Sequence, residues 1–161
     1  MLGKEFFVGK SHRTSLDGIK SLAKVFPSYR VTAVDITHNL FTCTSAVTDR
    51  NNGLDMSVPL HLKSMCSRGG DDILVVGGRA GHIFSKVVEA VAPQTYKFLQ
   101  LPDMTAANCI WVNGVLVRPL SSEMSETSSD LLDTLGGNHV QVATSELAKL
   151  DGAITCCSVL V

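Results

Sequence analysis

The chain has 161 residues, which is enough for one domain with a hydrophobic core. Hydrophobic residues make up 45% of it and charged residues 18%, a composition that excludes a predominantly disordered chain. The formal net charge is −1, so no excess of one sign exists to drive binding to nucleic acid or to a membrane surface.

The cysteine pattern and the N-terminal residues indicate a reducing, cytoplasmic location. The five cysteines form no CxxC pair, which argues against a disulfide framework and against a structural zinc site. The N-terminal segment lacks the order of a signal peptide, and no apolar run approaches the ~18 residues that span a bilayer. Because Met1 lies directly before an apparent strand, we expect an internal start, a splice form or a fragment.

The first elements predicted along the chain are a strand, a helix and a second strand. Glu5–Gly9 has the apolar composition of a strand. Thr14 or Ser15 can cap the helix that follows, and Pro27 stops it. Arg30–Ile36 alternates in polarity, which predicts the second strand.

The next segment, 37–57, loses this periodicity and is long for a loop. Loops of this length are usually functional, disordered or inserted, and we interpret the segment as an irregular insert. Leu60–Cys66 then resumes as a predicted strand. In that strand Leu60 and Leu62 would share one face, and His61 would lie on the other, facing a cleft or solvent.

The same order of elements then recurs. The further predicted strands are Ile73–Val76, Lys97–Leu101, Asn108–Val112, Val115–Val117, Val140–Ala143 and Ile154–Val161. The predicted helices are one with an apolar face of Ile83, Val87, Val88 and Val91, one at Glu126–Leu135 closed by Gly136-Gly137, and a short turn at Ser145–Lys149. Strand–helix–strand–strand thus occurs three times, starting near residues 5, 73 and 115. This indicates either an array of similar α/β modules, such as propeller blades, or an ordinary α+β sheet domain.

Two adjacent cysteines near the C-terminus, Cys156 and Cys157, allow two interpretations. They are either buried thiols of an apolar strand, the commoner case for free cysteine, or they supply a nucleophile. A thiolate attacks carbon well and then needs a partner that moves protons. His61 is the best candidate for that partner because histidine titrates near neutrality, although an ordinary strand histidine is the commoner case.

Two other features follow predicted strands. Arg13 is either a solvated surface charge or a bidentate clamp for a substrate carboxylate, which the guanidinium geometry suits. The glycine-rich run at residues 77–81 matches the spacing of neither dinucleotide-binding nor phosphate-binding loops. We therefore interpret that run as a turn.

A family resemblance is carried by four segments that span nearly the whole chain: EFFVGKSHRT, LHLKSMCS, LPDMTAANCIWVN and SELAKLDGAITCCSVL. In this order they resemble the landmarks of the dimethylargininase (dimethylarginine dimethylaminohydrolase) family of the pentein superfamily. The resemblance implies a five-bladed α/β propeller of ββαβ-type modules. This chain would hold about three of them, in a single incomplete domain at 1–161. The resemblance covers roughly the C-terminal half of a family member, so the acidic residues that hold the guanidinium and orient the histidine would lie outside it.

The resemblance also implies a hydrolase that converts N-omega-methylated arginine to citrulline and a methylamine. Cys156 would attack the guanidinium carbon, and His61 would protonate the leaving amine and then activate water. Arg13 would bind the substrate carboxylate, and the backbone carbonyl of Leu150 would meet the substrate α-amine. Cys157 would be structural. No cofactor is implied, and zinc bound by the nucleophile would be an inhibitory ligand.

Two other hypotheses stay open. The first is a truncated, catalytically inactive isoform or fragment that acts at most as a binding or interaction module. The second keeps the chemistry on another guanidine, as in arginine deiminases or amidinotransferases, although the TCCSVL and AANCIWVN segments favour dimethylargininase. The resemblance implies a place in arginine metabolism and in nitric oxide regulation. Open strand edges would favour self-association.

Overall fold

The computed structural model describes residues 5–37 and 61–159. The predicted insert therefore lies outside the described residues except for Thr37, and so does Leu60. The chain divides into two compact units, Met1–Leu62 and Lys63–Val161, which are described in turn. No helix within the described ranges is long and apolar enough to cross a membrane.

The first unit contains a parallel βαβ motif. Strand β1 (Glu5–Lys10) pairs in parallel with β2 (Arg30–Asp35), and helix α1 (Leu16–Val25) connects the two. Ser15 caps the helix, because its hydroxyl accepts a hydrogen bond from the backbone N–H of Gly18 at 3.1 Å. The predicted strands, helix and cap are confirmed.

Aromatic rings hold the end of α1 against β1. The ring centroid of Phe26, the first residue beyond the helix, lies 5.4 Å from that of Phe6, and the Tyr29 ring lies 5.1 Å from that of Phe6. Tilted pairs of this kind contribute about 0.5–1.5 kcal/mol beyond their buried area. Pro27 follows the helix end, as predicted, because proline cannot donate the backbone hydrogen bond that would continue the helix.

The second unit begins with a three-stranded sheet. Strand β3 (Cys66–Arg68) pairs antiparallel with β4 (Ile73–Gly77), and β4 pairs in parallel with β5 (Lys97–Leu101). Helix α2 (Gly78–Val91) makes the parallel connection. The helix includes most of the glycine-rich run, so the interpretation of that run as a turn is wrong.

The buried face of α2 also differs from the predicted one. Its buried residues are Ala80, Gly81, Phe84, Ser85 and Val88, so Val88 alone is shared with the prediction. A Cβ placed on Gly81 would lie 2.9 Å from the backbone carbonyl carbon of Val76 and 3.0 Å from the carbonyl oxygen of Met65. The helix therefore approaches the sheet through its smallest residue, which a count of large apolar side chains does not reveal.

A second three-stranded sheet follows in the same unit. Strand β6 (Ile110–Val112) pairs antiparallel with β7 (Val115–Pro119), which pairs in parallel with β8 (Asn138–Val142). Helix α3 (Glu126–Asp133) connects the parallel pair, and the short helix α4 (Ser145–Ala148) follows β8. These elements confirm the predicted strands and helices of this region.

The turns of this second sheet have the predicted chemistry. Asn113 and Gly114 have φ values of 51° and 75°, the positive pair that a tight hairpin of the type I′ class requires. Gly136 and Gly137 also have positive φ, at 65° and 78°, and they follow the end of α3. Glycine adopts this left-handed backbone at little cost, which explains the stop after the helix.

The recurrence of three parallel βαβ motifs confirms the predicted α/β class. The boundaries of the repeat are different, however, because β3 and β6 each pair with the strand that follows them. Each complete repeat in the second unit is therefore a ββαβ motif that begins at Cys66 or Ile110, rather than near residue 73 or 115.

Two predicted strands are wrong. The segment predicted as Leu60–Cys66 contains a 3₁₀ turn at Leu62–Ser64, and the segment predicted as Ile154–Val161 contains one at Ile154–Cys157. In the first segment the buried residues are Leu62, Met65 and Cys66, two of which are adjacent. In the second the buried residues are adjacent, so neither segment alternates as a half-buried strand would.

The end of β4 lies too close to a neighbouring loop to accept a side chain. A Cβ on Gly77 would lie 2.5 Å from the carbonyl oxygen of Asp103 and 2.7 Å from the Cα of Met104. We expect Gly77→Ala to lower the free energy of unfolding by about 1–3 kcal/mol, because backbone atoms must move. Gly18→Ala is the matched control, since its Cβ would meet only the Ser15 hydroxyl at 3.6 Å. Chemical denaturation of both variants checks this, and equal stabilities would contradict it.

A carboxylate from outside the helix holds the start of α4. One oxygen of Glu123 accepts hydrogen bonds from the backbone N–H and the hydroxyl of Thr144, both at 2.7 Å. The other accepts the backbone N–H of Ser145 at 2.9 Å. The first N–H groups of a helix have no partner inside it, so this carboxylate takes the place of a local cap. The Thr144 hydroxyl and the two backbone groups lower the pKa of Glu123 to about 2.

This pKa predicts a specific acid sensitivity. A carboxyl whose pKa is lower in the folded chain stabilises the fold above its unfolded pKa of 4.5, and the contribution is lost as the pH falls toward 2. We expect Glu123→Gln to flatten the pH dependence of the unfolding midpoint between pH 4.5 and 2. Glu126→Gln, in the first turn of α3, is the control and should keep the parent slope. Thermal unfolding at a series of pH values measures both variants. If the unfolding midpoints of Glu123→Gln and of the parent depend on pH in parallel, the stabilising role of the Glu123 carboxylate is refuted.

Candidate active site

Cys156 lies at the exposed end of the 3₁₀ turn Ile154–Cys157. Ile154 and Thr155 are buried, at 6% and 9% relative exposure, whereas Cys156 and Cys157 are both exposed. The interpretation of the two cysteines as buried thiols of an apolar strand is therefore wrong. The turn presents both sulfur atoms on the surface of the second unit.

The other described cysteines are poor candidates for a nucleophile. Cys66 and Cys109 are buried, and burial raises the pKa of each thiol to about 12. The thiolate is the reactive form of cysteine, and these two thiols stay protonated at neutral pH. Among the residues that the structure describes, a cysteine nucleophile is therefore Cys156 or Cys157.

A buried amide anchors the turn that carries Cys156. The side-chain nitrogen of Asn108 donates to the hydroxyl of Thr155 at 3.0 Å and to the carbonyl oxygen of Lys63 at 3.1 Å. Its side-chain oxygen accepts the backbone N–H of Thr155 at 3.0 Å. The ammonium of Lys63 donates to the carbonyl oxygen of Thr155 at 3.3 Å. The residue before the predicted nucleophile is thus bonded at its N–H, its carbonyl and its hydroxyl.

Sequence reasoning missed Asn108, which it treated as the first residue of a strand. The structure places it just after the 3₁₀ turn Thr105–Ala107 and before β6. Its neighbours Ala107 and Cys109 are 0% and 2% exposed and belong to a hydrophobic core cluster of this unit. A single polar residue between core residues is the signal that could have indicated it, because a buried amide has to find partners.

In the first unit the structure describes Arg13 and His61. Arg13 is exposed in the tight turn between β1 and α1, where its backbone N–H donates to the Ser11 hydroxyl at 3.0 Å. No hydrogen bond or ion pair joins its guanidinium to the residues that the structure describes. His61 is exposed, as predicted, although the strand predicted around it is absent.

The residue after His61 packs on the end of β1. A Cβ on Gly9 would lie 3.1 Å from the Cβ of Leu62 and 3.4 Å from its backbone nitrogen. Ligand sites of α/β proteins form at the carboxyl ends of parallel strands. Arg13 follows that end of β1 along the chain, and Leu62 holds the segment of His61 against the same strand end.

Leu150 lies in the turn that follows α4, in the second unit. Its side chain is 85% exposed, and the next residue, Asp151, has a left-handed backbone with φ of 55°. The N–H of Gly152 closes the turn by donating to the carbonyl oxygen of Leu147 at 2.8 Å. Of the predicted site residues, Leu150 and Cys156 thus belong to the second unit and Arg13 and His61 to the first. Their roles stay predictions.

Within the described ranges no group of three or more histidine, cysteine, aspartate or glutamate residues is arranged to hold a metal ion.

The comparisons with known proteins include two curated relatives of the same name. The chain is 28% identical over 160 residues to N(G),N(G)-dimethylarginine dimethylaminohydrolase of Streptomyces coelicolor, covering 98% of this chain and 50% of that protein. It is 23% identical, over 98% of its length and 52% of the relative's, to the enzyme of that name from Pseudomonas aeruginosa. The chain thus spans about half the length of the curated relatives it matches. No family model matches it.

A solved structure supports the same likeness at the level of the fold. A variant of the Pseudomonas aeruginosa enzyme, solved in complex with citrulline, aligns with a TM-score of 0.68 and 22% identity. The alignment covers 97% of this chain and 51% of that one. Over nearly its whole length, this chain is therefore similar to about half of a dimethylarginine dimethylaminohydrolase, as its four sequence segments predict.

Proposed function

We propose that this chain carries the nucleophile of a hydrolase that converts N-omega-methylated arginine to citrulline and a methylamine. The observation that carries the proposal is the exposed thiol of Cys156 on a turn anchored by buried hydrogen bonds. The likeness to dimethylarginine dimethylaminohydrolases over 98% of the chain supports the choice of substrate.

The proposed reaction has two halves. The Cys156 thiolate adds to the guanidinium carbon, and the C–N bond to the methylated nitrogen breaks as His61 gives that nitrogen a proton. The methylamine departs, and the rest of the substrate stays bound to the sulfur as a thiouronium adduct. His61, now neutral, takes a proton from water as the water oxygen attacks the same carbon. The C–S bond then breaks, which releases citrulline and returns the thiolate.

The proposed substrate contacts use the two remaining predicted residues. The guanidinium of Arg13 can bind the substrate carboxylate with two parallel N–H donors. The backbone carbonyl of Leu150, in a turn closed by a hydrogen bond and followed by a left-handed residue, can accept from the substrate α-amine. Each group has the charge or polarity that its partner on an amino-acid substrate requires.

We also propose the finer architecture that the resemblance implies. The ββαβ order of β3–β5 and of β6–β8, together with the βαβ order of β1–β2, supports three modules of a five-bladed α/β propeller. A single domain at 1–161 with an insert at about 37–57, a cytoplasmic location and a link to nitric oxide regulation remain predictions.

The two adjacent cysteines provide the first test. We expect Cys156→Ser to abolish any release of citrulline from asymmetric dimethylarginine by the purified 161-residue chain, because serine is a far weaker nucleophile at neutral pH. Cys157→Ser is the matched control, because Cys157 is also exposed, and it should keep much of the activity. Release of citrulline from arginine instead of dimethylarginine would indicate a deiminase. Absence of citrulline from the folded parent chain would refute hydrolysis by this chain alone and favour the inactive fragment, and equal loss in both variants would refute Cys156 as the nucleophile.

The proton-transfer role of His61 predicts a change in rate rather than in affinity. We expect His61→Ala to lower kcat by about 10²–10⁴-fold, the usual contribution of a general acid and base, with a much smaller change in KM. Steady-state kinetics with dimethylarginine measure both constants. His82→Ala is a control, because this exposed histidine bonds Gln100 of β5 and has no proposed role in the reaction. A rise in KM with kcat preserved would show that His61 only binds substrate.

A further inference from the structure

We propose that Asn108 is a positioning residue for this reaction, whose side-chain amide fixes the backbone that presents the Cys156 thiol. The inference rests on the proposed function for its kinetic consequence, and it assigns a role to a residue outside the predicted site. Its structural consequence can be measured without turnover.

The hydrogen bonds of Asn108 occupy both of its side-chain donors. A primary amide has two N–H donors, and Asn108 uses one on the Thr155 hydroxyl and one on the Lys63 carbonyl. Its oxygen accepts the N–H of Thr155. The side chain is 6% exposed, so no donor remains free to meet a ligand. The amide can therefore act on the reaction only through the segments that it holds.

The held segment leads directly to the nucleophile. Thr155 is the residue before Cys156, and two of its three polar groups bond Asn108 while the third accepts from the Lys63 ammonium. The peptide unit that joins Thr155 to Cys156 is planar, so fixing the Thr155 carbonyl also fixes the direction of the Cys156 backbone. The N–H of Cys156 bonds the Ala153 carbonyl at 3.0 Å, which closes the turn.

Asn108 has the rigid support that a positioning residue needs. Its neighbours in the chain, Ala107 and Cys109, pack in the core cluster, and the Cys109 N–H donates to the Ser67 hydroxyl of β3 at 3.2 Å. The amide also holds the backbone of Lys63, two residues after His61 in the chain. One side chain thus constrains the backbone next to the predicted nucleophile and the backbone that follows the predicted proton donor.

The direct test compares the reactivity of the two adjacent thiols. Iodoacetamide alkylates both, trypsin cleaves after Lys149, and tandem mass spectrometry of Leu150–Val161 separates the two sites. In the parent chain we expect a rate ratio that differs from that of the synthetic peptide Leu150–Val161, because the anchored turn orients each sulfur differently. In Asn108→Ala we expect the ratio to move toward that of the peptide.

The kinetic test uses the same variant with a matched control. Misplacing a reacting group by about 1 Å can cost about 10²-fold, so Asn108→Ala should lower kcat by about that factor with little change in KM. Ser85→Ala is the control, because Ser85 is also fully buried but bonds the His82 carbonyl within α2 and Gln100 of β5. It should leave both the alkylation ratio and kcat near the parent values.

A milder variant covers the case in which Asn108→Ala does not fold. Thr155→Val keeps the shape of the side chain and the N–H bond to Asn108 but removes the hydroxyl bond. It should shift the alkylation ratio in the same direction by a smaller amount.

The outcomes separate this proposal from the proposed function. A parent ratio equal to that of the peptide, or a ratio unchanged in folded Asn108→Ala or Thr155→Val, would overturn the positioning role. A parent chain that releases no citrulline but shows the expected ratios would overturn hydrolysis by this chain alone and leave the positioning role standing.

Discussion

The buried amide of Asn108 is the constraint on which the candidate site depends. It connects the backbone of Lys63 with the backbone and hydroxyl of Thr155, and Asn108 and Thr155 are both buried. Leaving a buried polar group without a partner costs about 1–3 kcal/mol. Loss of this amide would remove the partner of the Thr155 N–H and of the Lys63 carbonyl at once. Conformations of the Cys156 turn that break these hydrogen bonds are therefore disfavoured mainly by the free-energy cost of unpaired buried polar groups. The net stabilisation by each hydrogen bond is smaller.

The candidate residues lie on connections, and the regular elements supply their support. Arg13 lies in the turn after β1, Leu150 in the turn after α4, and Cys156 in a 3₁₀ turn beyond it. Each connection is short and closed by hydrogen bonds, as with the carboxylate of Glu123 that caps α4 ahead of Leu150. A loop held in this way can carry polar groups to the surface and still present them in one geometry, which catalysis requires.

The sequence predicts the regular part of this fold well because its signals there are local. The cap at Ser15, the stop at Pro27 and the positive-φ turn at Asn113-Gly114 each depend on a few neighbouring residues. The strand predicted around His61 and the one predicted around Cys156 are wrong for the opposite reason. Their conformation depends on hydrogen bonds to residues 45 or 47 positions away, which no local period records. Asn108 was missed on the same ground, because its role lies in its partners.

The shape of the last turn explains why an anchor is needed there at all. A strand would have placed neighbouring side chains on opposite faces, so that only one of Cys156 and Cys157 could be exposed. The 3₁₀ turn exposes both, whereas burial keeps the thiols of Cys66 and Cys109 protonated. Burial thus distinguishes the two exposed cysteines from the two buried ones, but it does not show which of the two exposed cysteines is the nucleophile. The direction in which each sulfur points can make that choice, and the anchored backbone of Thr155 fixes the point from which the Cys156 side chain starts.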